Sequence, residues 1–368
     1  MDQNTDLPPI PPGPLGVELA RRCFQAAAQA DTPTAISLYK RAMVLEPRLV
    51  DSYLAFGIRL QMQQPERAVS AFTRTLALAP FVIEARANLA NILYQRGAAA
   101  EAEAHYLQAL SHRPDLAQLH TNHGATLRRL GRLDDAAAAH RRALVIDPAC
   151  SDALGNLGNI LHGSGRHGEA LRLLRWMVRL NPTDATAHNR MGDCLNHLEQ
   201  RDKALDCHAR ALALTPGSPD VLNSLGSNLH GAGWVKRAVI TLHRALRVWP
   251  MVSLLADDAW VVHYNLGTAL NDLGQVGSAC AFYRQSLALN PASPGALRNF
   301  GNSLRCEGDF AEALRFYARA IAVGEAGAHQ NRTMTLLYMD DATPEAVYQG
   351  HAAYGATVSA PAPAPHAN

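Results

Sequence analysis

The chain has 368 residues, of which 48% are apolar and only 18% charged, so bulk disorder is excluded. A formal net charge of +2 with no basic block argues against nucleic acid as a partner, and the lack of any run of about 18 apolar residues argues against a membrane span. The six cysteines form no C-x-x-C pair and the sixteen histidines no H-E-x-x-H cluster, so no disulfide framework, metal or cofactor is expected and a reducing cytoplasm fits.

In chain order, residues 1–15 are rich in proline and lack the basic and apolar pattern of a secretory signal, and are expected to be disordered. From about residue 16 a periodic pattern begins. Prolines stand at Pro47, Pro80, Pro114, Pro148, Pro182, Pro216 and Pro250, spaced by 33 and then repeatedly 34 residues, and Pro291 follows after 41. Alanine precedes each proline by twelve residues, as at Ala102, Ala136 and Ala170. Glycine precedes the alanine by twelve more at Gly124, Gly158, Gly192, Gly226 and Gly267, and Gly301 and Ala313 carry the phase into one further unit. Within a unit, small and apolar residues recur at helical spacing, as in Leu154, Leu157, Gly158 and Leu161, then Ala170, Leu174 and Met177. That spacing predicts two helices of about a dozen residues each, with a glycine turn at Gly131, Gly165, Gly233 or Gly274. Proline is expected to stop the second helix.

These landmarks resemble the tetratricopeptide repeat family, whose pattern is W-x2-L-G-x2-Y, A-x3-F, A and P over 34 residues. Tyr106, Tyr283 and Tyr317 take its aromatic place, whereas His120, His188 and His263 stand where it prefers tryptophan. The resemblance covers about residues 16–327 in nine units and implies an all-α fold, a right-handed superhelix (α-solenoid) of helix-turn-helix repeats. The first unit lacks the glycine and reads as a degenerate cap, and an insert near 253–259 lengthens one junction. Trp249 and Trp260 flank it, as packing residues or a local partner site. Such an array offers a long groove rather than a deep pocket, so enzymatic chemistry on this chain is not expected.

On the first helix of the Ser151–Asp184 unit, Asn156 and Asn159 fall about 180° from the packing face. The same two places hold Asn88 and Asn91, then Asn299 and Asn302; Asn122 and Asn265 occupy the first place alone, and Arg190 interrupts the series. Asparagine is a poor helix former, and a row of amides can both donate to and accept from an extended peptide backbone. The residues expected to bind peptide are therefore Asn88, Asn91, Asn122, Asn156, Asn159, Arg190, Asn265, Asn299 and Asn302; the alternative is a solvated face copied by duplication. The phrases NLAN, NLGN and NFGN resemble the repeat region of protein O-GlcNAc transferases, where the resemblance implies an asparagine ladder holding substrate backbones.

Residues 328–358 read as capping helices, with Thr343-Pro344-Glu345 as a helix start. Leu336, Leu337, Tyr338, Asp341, Val347, His351, Tyr354 and Gly355 resemble the junction of bacterial Spindly and O-GlcNAc-transferase-like proteins to their transferase domain, which is not seen here. Residues 359–368 form a Pro/Ala tail. The expected function is a scaffold that captures extended protein or peptide segments, with homo-oligomerisation through the array a further expectation. The alternative is the substrate-recognition part of a split or truncated glycosyltransferase.

Overall fold

The structure is a computed structural model that describes residues 14–252, 259–339 and 342–359. Most of the proline-rich start, the insert at 253–258, Asp341 and the tail from 360 lie outside the described residues. The described residues form twenty helices and no strand.

The chain divides into two compact units, 1–173 and 174–368. The first holds α1 (Pro14–Gln29), α2 (Thr32–Leu45), α3 (Val50–Leu60), α4 (Pro65–Leu78), α5 (Ile83–Gln95), α6 (Ala99–His112), α7 (Ala117–Arg129), α8 (Leu133–Ile146) and α9 (Ser151–Gly163). α10 (His167–Leu180) begins in the first unit and ends in the second. The second unit continues with α11 (Ala185–His197), α12 (Arg201–Leu214), α13 (Pro219–Gly231), α14 (Val235–Val252), α15 (Ala259–Asp272), α16 (Val276–Leu289), α17 (Pro294–Cys306), α18 (Phe310–Ala322), α19 (Gly327–Leu336) and α20 (Pro344–Ser359). Within each unit the two helices of a repeat pack as a hairpin, and the second helix packs on the first helix of the next repeat. First helices of successive repeats also touch, α5 with α7 and α7 with α9 in the first unit, α11 with α13 and α13 with α15 in the second.

The periodic residues explain why the hairpins close. Ala68, Ala102, Ala136, Ala204, Ala238, Ala279 and Ala313 are fully buried where helices cross. The glycines meet the large side chain of the second helix: a Cβ at Gly57 would lie 2.6 Å from the Phe72 ring, at Gly226 2.6 Å from Leu242, and at Gly301 2.7 Å from Tyr317. Such distances leave no room for a methyl group, so the bare backbone at these places sets how deeply each ring enters. The hairpin turns use left-handed backbone at Gly97, Gly131, Gly165, Gly233, Gly274 and Gly308. In the α11–α12 hairpin the same place is taken by Glu199, with φ 59°.

The prolines act as expected at α2, α4, α6, α8, α12 and α16, which all end two residues before them. Pro250 is a correction: α14 runs through it to Val252. A proline inside a helix removes one amide donor yet keeps φ helical, so it need not end the helix. His120 and His188, at the tryptophan place, hold the preceding turn through Nε2, 2.9 Å from the Pro114 carbonyl and 3.1 Å from that of Pro182. Trp249 packs against the core of the second unit, and the Trp260 carbonyl accepts from Ser286 Oγ at 2.9 Å. α20 starts as read, with Thr343 Oγ1 capping the Ala346 amide at 3.2 Å.

Candidate functional site

The nine residues picked out on the first helices are all half-buried. Their surroundings differ from the expectation that they stand opposite the packing face. Asn91 Oδ1 accepts from the Tyr106 hydroxyl of α6 and, at 3.0 Å, from Asn122 Nδ2 of α7. Asn91 therefore sits on the flank where its own hairpin meets the next first helix. A tyrosine is long enough to cross the small-residue contact between the helices and emerge beside the asparagine.

Three ladder positions in the first unit converge and two stand free. Asn88, Asn91 and Asn122 line one cleft of about 320 Å³, together with Tyr94, Tyr106 and Ala125. Gln61, Gln95, Met62 and Ile92 complete its walls, so no lining residue carries a charge. Asn122 Oδ1 is held by Gln118 Nε2 at 2.9 Å. The Arg129 guanidinium lies 5.1 Å from the Tyr94 ring centroid and bonds the Tyr94 carbonyl at 2.6 Å, which fixes one wall. Burial, and then Tyr94, push the Tyr106 phenol above its ordinary range, so it remains a hydrogen-bond donor. Asn156 and Asn159, on α9, are half-buried and make no hydrogen bond among the described residues.

In the second unit the motif recurs. Asn302 Oδ1 accepts from the Tyr317 hydroxyl at 2.8 Å and from Asn331 Nδ2 at 2.9 Å. Asn265 Nδ2 donates to Asn223 Oδ1 at 2.9 Å, and Asn299 Nδ2 to the Tyr264 hydroxyl at 3.4 Å. Tyr283, its phenol pushed up to about 12 chiefly by burial, lies 3.3 Å from Thr268 Oγ1. The α11–α12 hairpin uses ionisable groups instead. His208 Nε2 lies 3.9 Å from Asp193 Oδ1, and His208 Nδ1 lies 3.0 Å from Asn189 Oδ1. Arg190, the ladder residue here, has its guanidinium pKa lowered by burial. Sequence reasoning missed Tyr106, Tyr317, Gln118 and Asn331 as parts of these clusters. The signal was present: the second ladder residue and its tyrosine are fifteen residues apart in Asn91–Tyr106, Thr268–Tyr283 and Asn302–Tyr317.

Three of the thiols are held toward their protonated form. Burial raises Cys194 and Cys280 to about 11 and raises Cys207 as well.

Comparison with known proteins agrees with this architecture. Solved structures of similar fold include the Cut9–Hcn1 hetero-tetramer of the APC/C, 14% identical over 86% of this chain and 76% of that chain with a TM-score of 0.62. PilF of Pseudomonas aeruginosa is 17% identical over 56% of this chain and 96% of its own, with a TM-score of 0.50. YrrB, described as a TPR protein with an unusual peptide-binding site, is 22% identical over 50% of this chain and 95% of its own, at 0.44. No curated protein matches the chain by sequence. Models of the tetratricopeptide repeat match residues 54–117, 121–175, 157–219, 262–293 and 295–326, together more than half of its length. The chain belongs to the tetratricopeptide repeat family.

Proposed function

We propose that this protein is an interaction scaffold whose first-helix faces capture an extended segment of a partner protein. The observation that carries this reading is the uncharged cleft on which Asn88, Asn91 and Asn122 converge. Amide side chains offer donors and acceptors of the kind a stretched backbone needs, and a neutral lining imposes no charge on the partner. Asn156 and Asn159 extend the row in the first unit; Arg190, Asn265, Asn299 and Asn302 would serve in the second.

The test is a selection of dodecapeptides from a random display library against the whole chain, followed by affinity measurements on the strongest binder. Each lost hydrogen bond of about 1 kcal/mol corresponds to roughly fivefold in Kd. Asn88→Ala with Asn122→Ala should therefore weaken binding by tenfold or more while the helical spectrum is kept. Unchanged affinity would remove the reading. The second reading, a substrate-recognition part of a glycosyltransferase, rests on the resemblance of residues 328–358 and of the asparagine phrases, and no contact in the fold favours it.

A further inference from the structure

We propose that His162 and His167 of the first unit chelate a divalent transition-metal ion through their Nδ1 atoms, across the glycine turn between α9 and α10. The pair shares no residue with the cleft over Asn91 and Asn122.

The turn brings the two rings together. His162 is the last residue but one of α9, and His167 is the first of α10. Gly165 takes left-handed backbone, and the Gly165 and Arg166 amides donate back to the His162 and Leu161 carbonyls at 3.0 and 2.8 Å. The positions of both histidines are thus fixed by the backbone. The half-buried rings lie edge to face, with centroids 4.9 Å apart, and their Nδ1 atoms stand 3.3 Å apart. That is long for a hydrogen bond. Two nitrogens bound to one tetrahedral Zn²⁺ at roughly 2.0–2.1 Å stand about 3.3–3.4 Å from each other. The pair is therefore already spread to the bite of a chelate. Without the ion, one Nδ1 carries the proton between the rings; with it bound, that proton sits on Nε2 of the same ring, and both ligands remain neutral imidazoles.

Repetition does not account for the pair. His162 has a counterpart in His230, which lies 2.8 Å from Asp272 in the second unit. His167 has none: the second helix opens with Ala99, Leu133, Val235, Val276 or Phe310 in five other hairpins and with Arg201 in a sixth. An imidazole enters at this place only where a second imidazole meets it. Ligands five residues apart across a turn match no common metal motif, which is why the sequence alone shows none. The surroundings tolerate a cation. Arg166, in the turn itself, is bonded to Glu169 at 2.7 Å, which offsets its charge. Two ligands fill half of a tetrahedral shell, and the turn leaves room for others, since a Cβ at Gly163, Gly165 or Gly168 would meet nothing within 4 Å. Imidazole nitrogens suit Zn²⁺, Cu²⁺ and Ni²⁺, whereas Mg²⁺ and Ca²⁺ prefer oxygen.

The experiment titrates zinc chloride into the full chain by calorimetry, with magnesium chloride present throughout, and follows the imidazole nitrogens by NMR. Zn²⁺ should bind and move the Nδ1 resonances of His162 and His167. The variants borrow residues from sister hairpins, His162→Asn as at Asn196 and His167→Val as at Val235, so the fold should hold, as the helical spectrum checks. Loss of a group that only supports a metal ligand costs about 10–100-fold in affinity, so loss of a ligand should weaken Zn²⁺ at least tenfold in each variant. His112→Asn, which removes an exposed imidazole outside the site, should leave that affinity unchanged. Zn²⁺ should also raise the urea midpoint of the wild type and of neither site variant. No zinc binding, equal affinity in the wild type and both site variants, or loss in only one of the two overturns the chelate. Zinc bound with both Nδ1 resonances unmoved overturns it as well. Should a site variant lose the helical spectrum, the wild-type resonances decide alone.

Discussion

The imidazole of His140 lies against the backbone of Gly124, so closely that a Cβ there would sit 2.7 Å from the ring Cε1, and both ring nitrogens are buried without a hydrogen-bond partner among the described residues. In sister hairpins the residue at this place is Tyr106, Tyr283 or Tyr317, and each hydroxyl reaches a polar ladder residue. The residue fifteen places before His140 is Ala125, whose methyl group can make no hydrogen bond. Ala125→Asn with His140→Tyr should rebuild the missing pair. The double variant is expected to gain about 1 kcal/mol beyond the sum of the single changes, read from a double-mutant cycle of urea unfolding. Simple additivity would refute the pairing.

Acid should loosen the same hairpin. Burial first, and the charge of Arg128 second, hold His140 down to about 4 from an ordinary value of 6.5. Its folded pKa lies below the unfolded one, so between these values the unfolded chain binds more protons. Stability is complete above about pH 6.5 and falls as pH drops toward 4. A gap of this size corresponds to roughly 3 kcal/mol at its limit. His140→Leu should flatten the dependence of the urea midpoint between pH 7 and 4.5 relative to the wild type; an equal slope in both proteins would exclude His140 as a source.

Glu199 holds a left-handed turn that glycine occupies in the other hairpins, such as Gly131 and Gly233. A side chain there is strained by roughly 1–2 kcal/mol, partly offset by the greater freedom of glycine in the unfolded chain. Glu199→Gly should stabilise the protein by about 0.5–1 kcal/mol in urea unfolding. Destabilisation would show that the turn tolerates Glu199 for a reason other than its φ.

Gly301 tests the opposite limit. An added methyl would meet the Tyr317 ring at 2.7 Å, and that ring is fully buried and tied to Asn302. It has no easy route of retreat, so Gly301→Ala should cost about 1–3 kcal/mol. It should also raise hydrogen exchange in α17 and α18 more than elsewhere, because repeats contact only their neighbours. A neutral substitution would show that the hairpin can open at little cost.

The repeat and its helices were legible because each landmark answers to a local rule. Alanine at Ala136 is needed wherever two helices cross, and glycine at Gly131 wherever the turn is left-handed. The exceptions were local too: Pro250 does not end α14, and Glu199 carries a turn without glycine. The ladder positions were legible as a row, but not their state. Asn91 and Asn159 hold the same phase in their repeats, yet one is bonded by a tyrosine and a neighbouring amide and the other has no partner among the described residues.

Spacing along the chain decides which residues share a helix face, since a helix has one pitch whatever its surroundings. The amino-acid order therefore determined an all-α chain of hairpins, with its asparagines in register. Whether a given amide donates, accepts or is already used depends on atoms fifteen and thirty-one residues away, brought within 3.0 Å only when hairpins pack. That choice belongs to the tertiary structure, because hydrogen bonds act over a distance far shorter than one repeat.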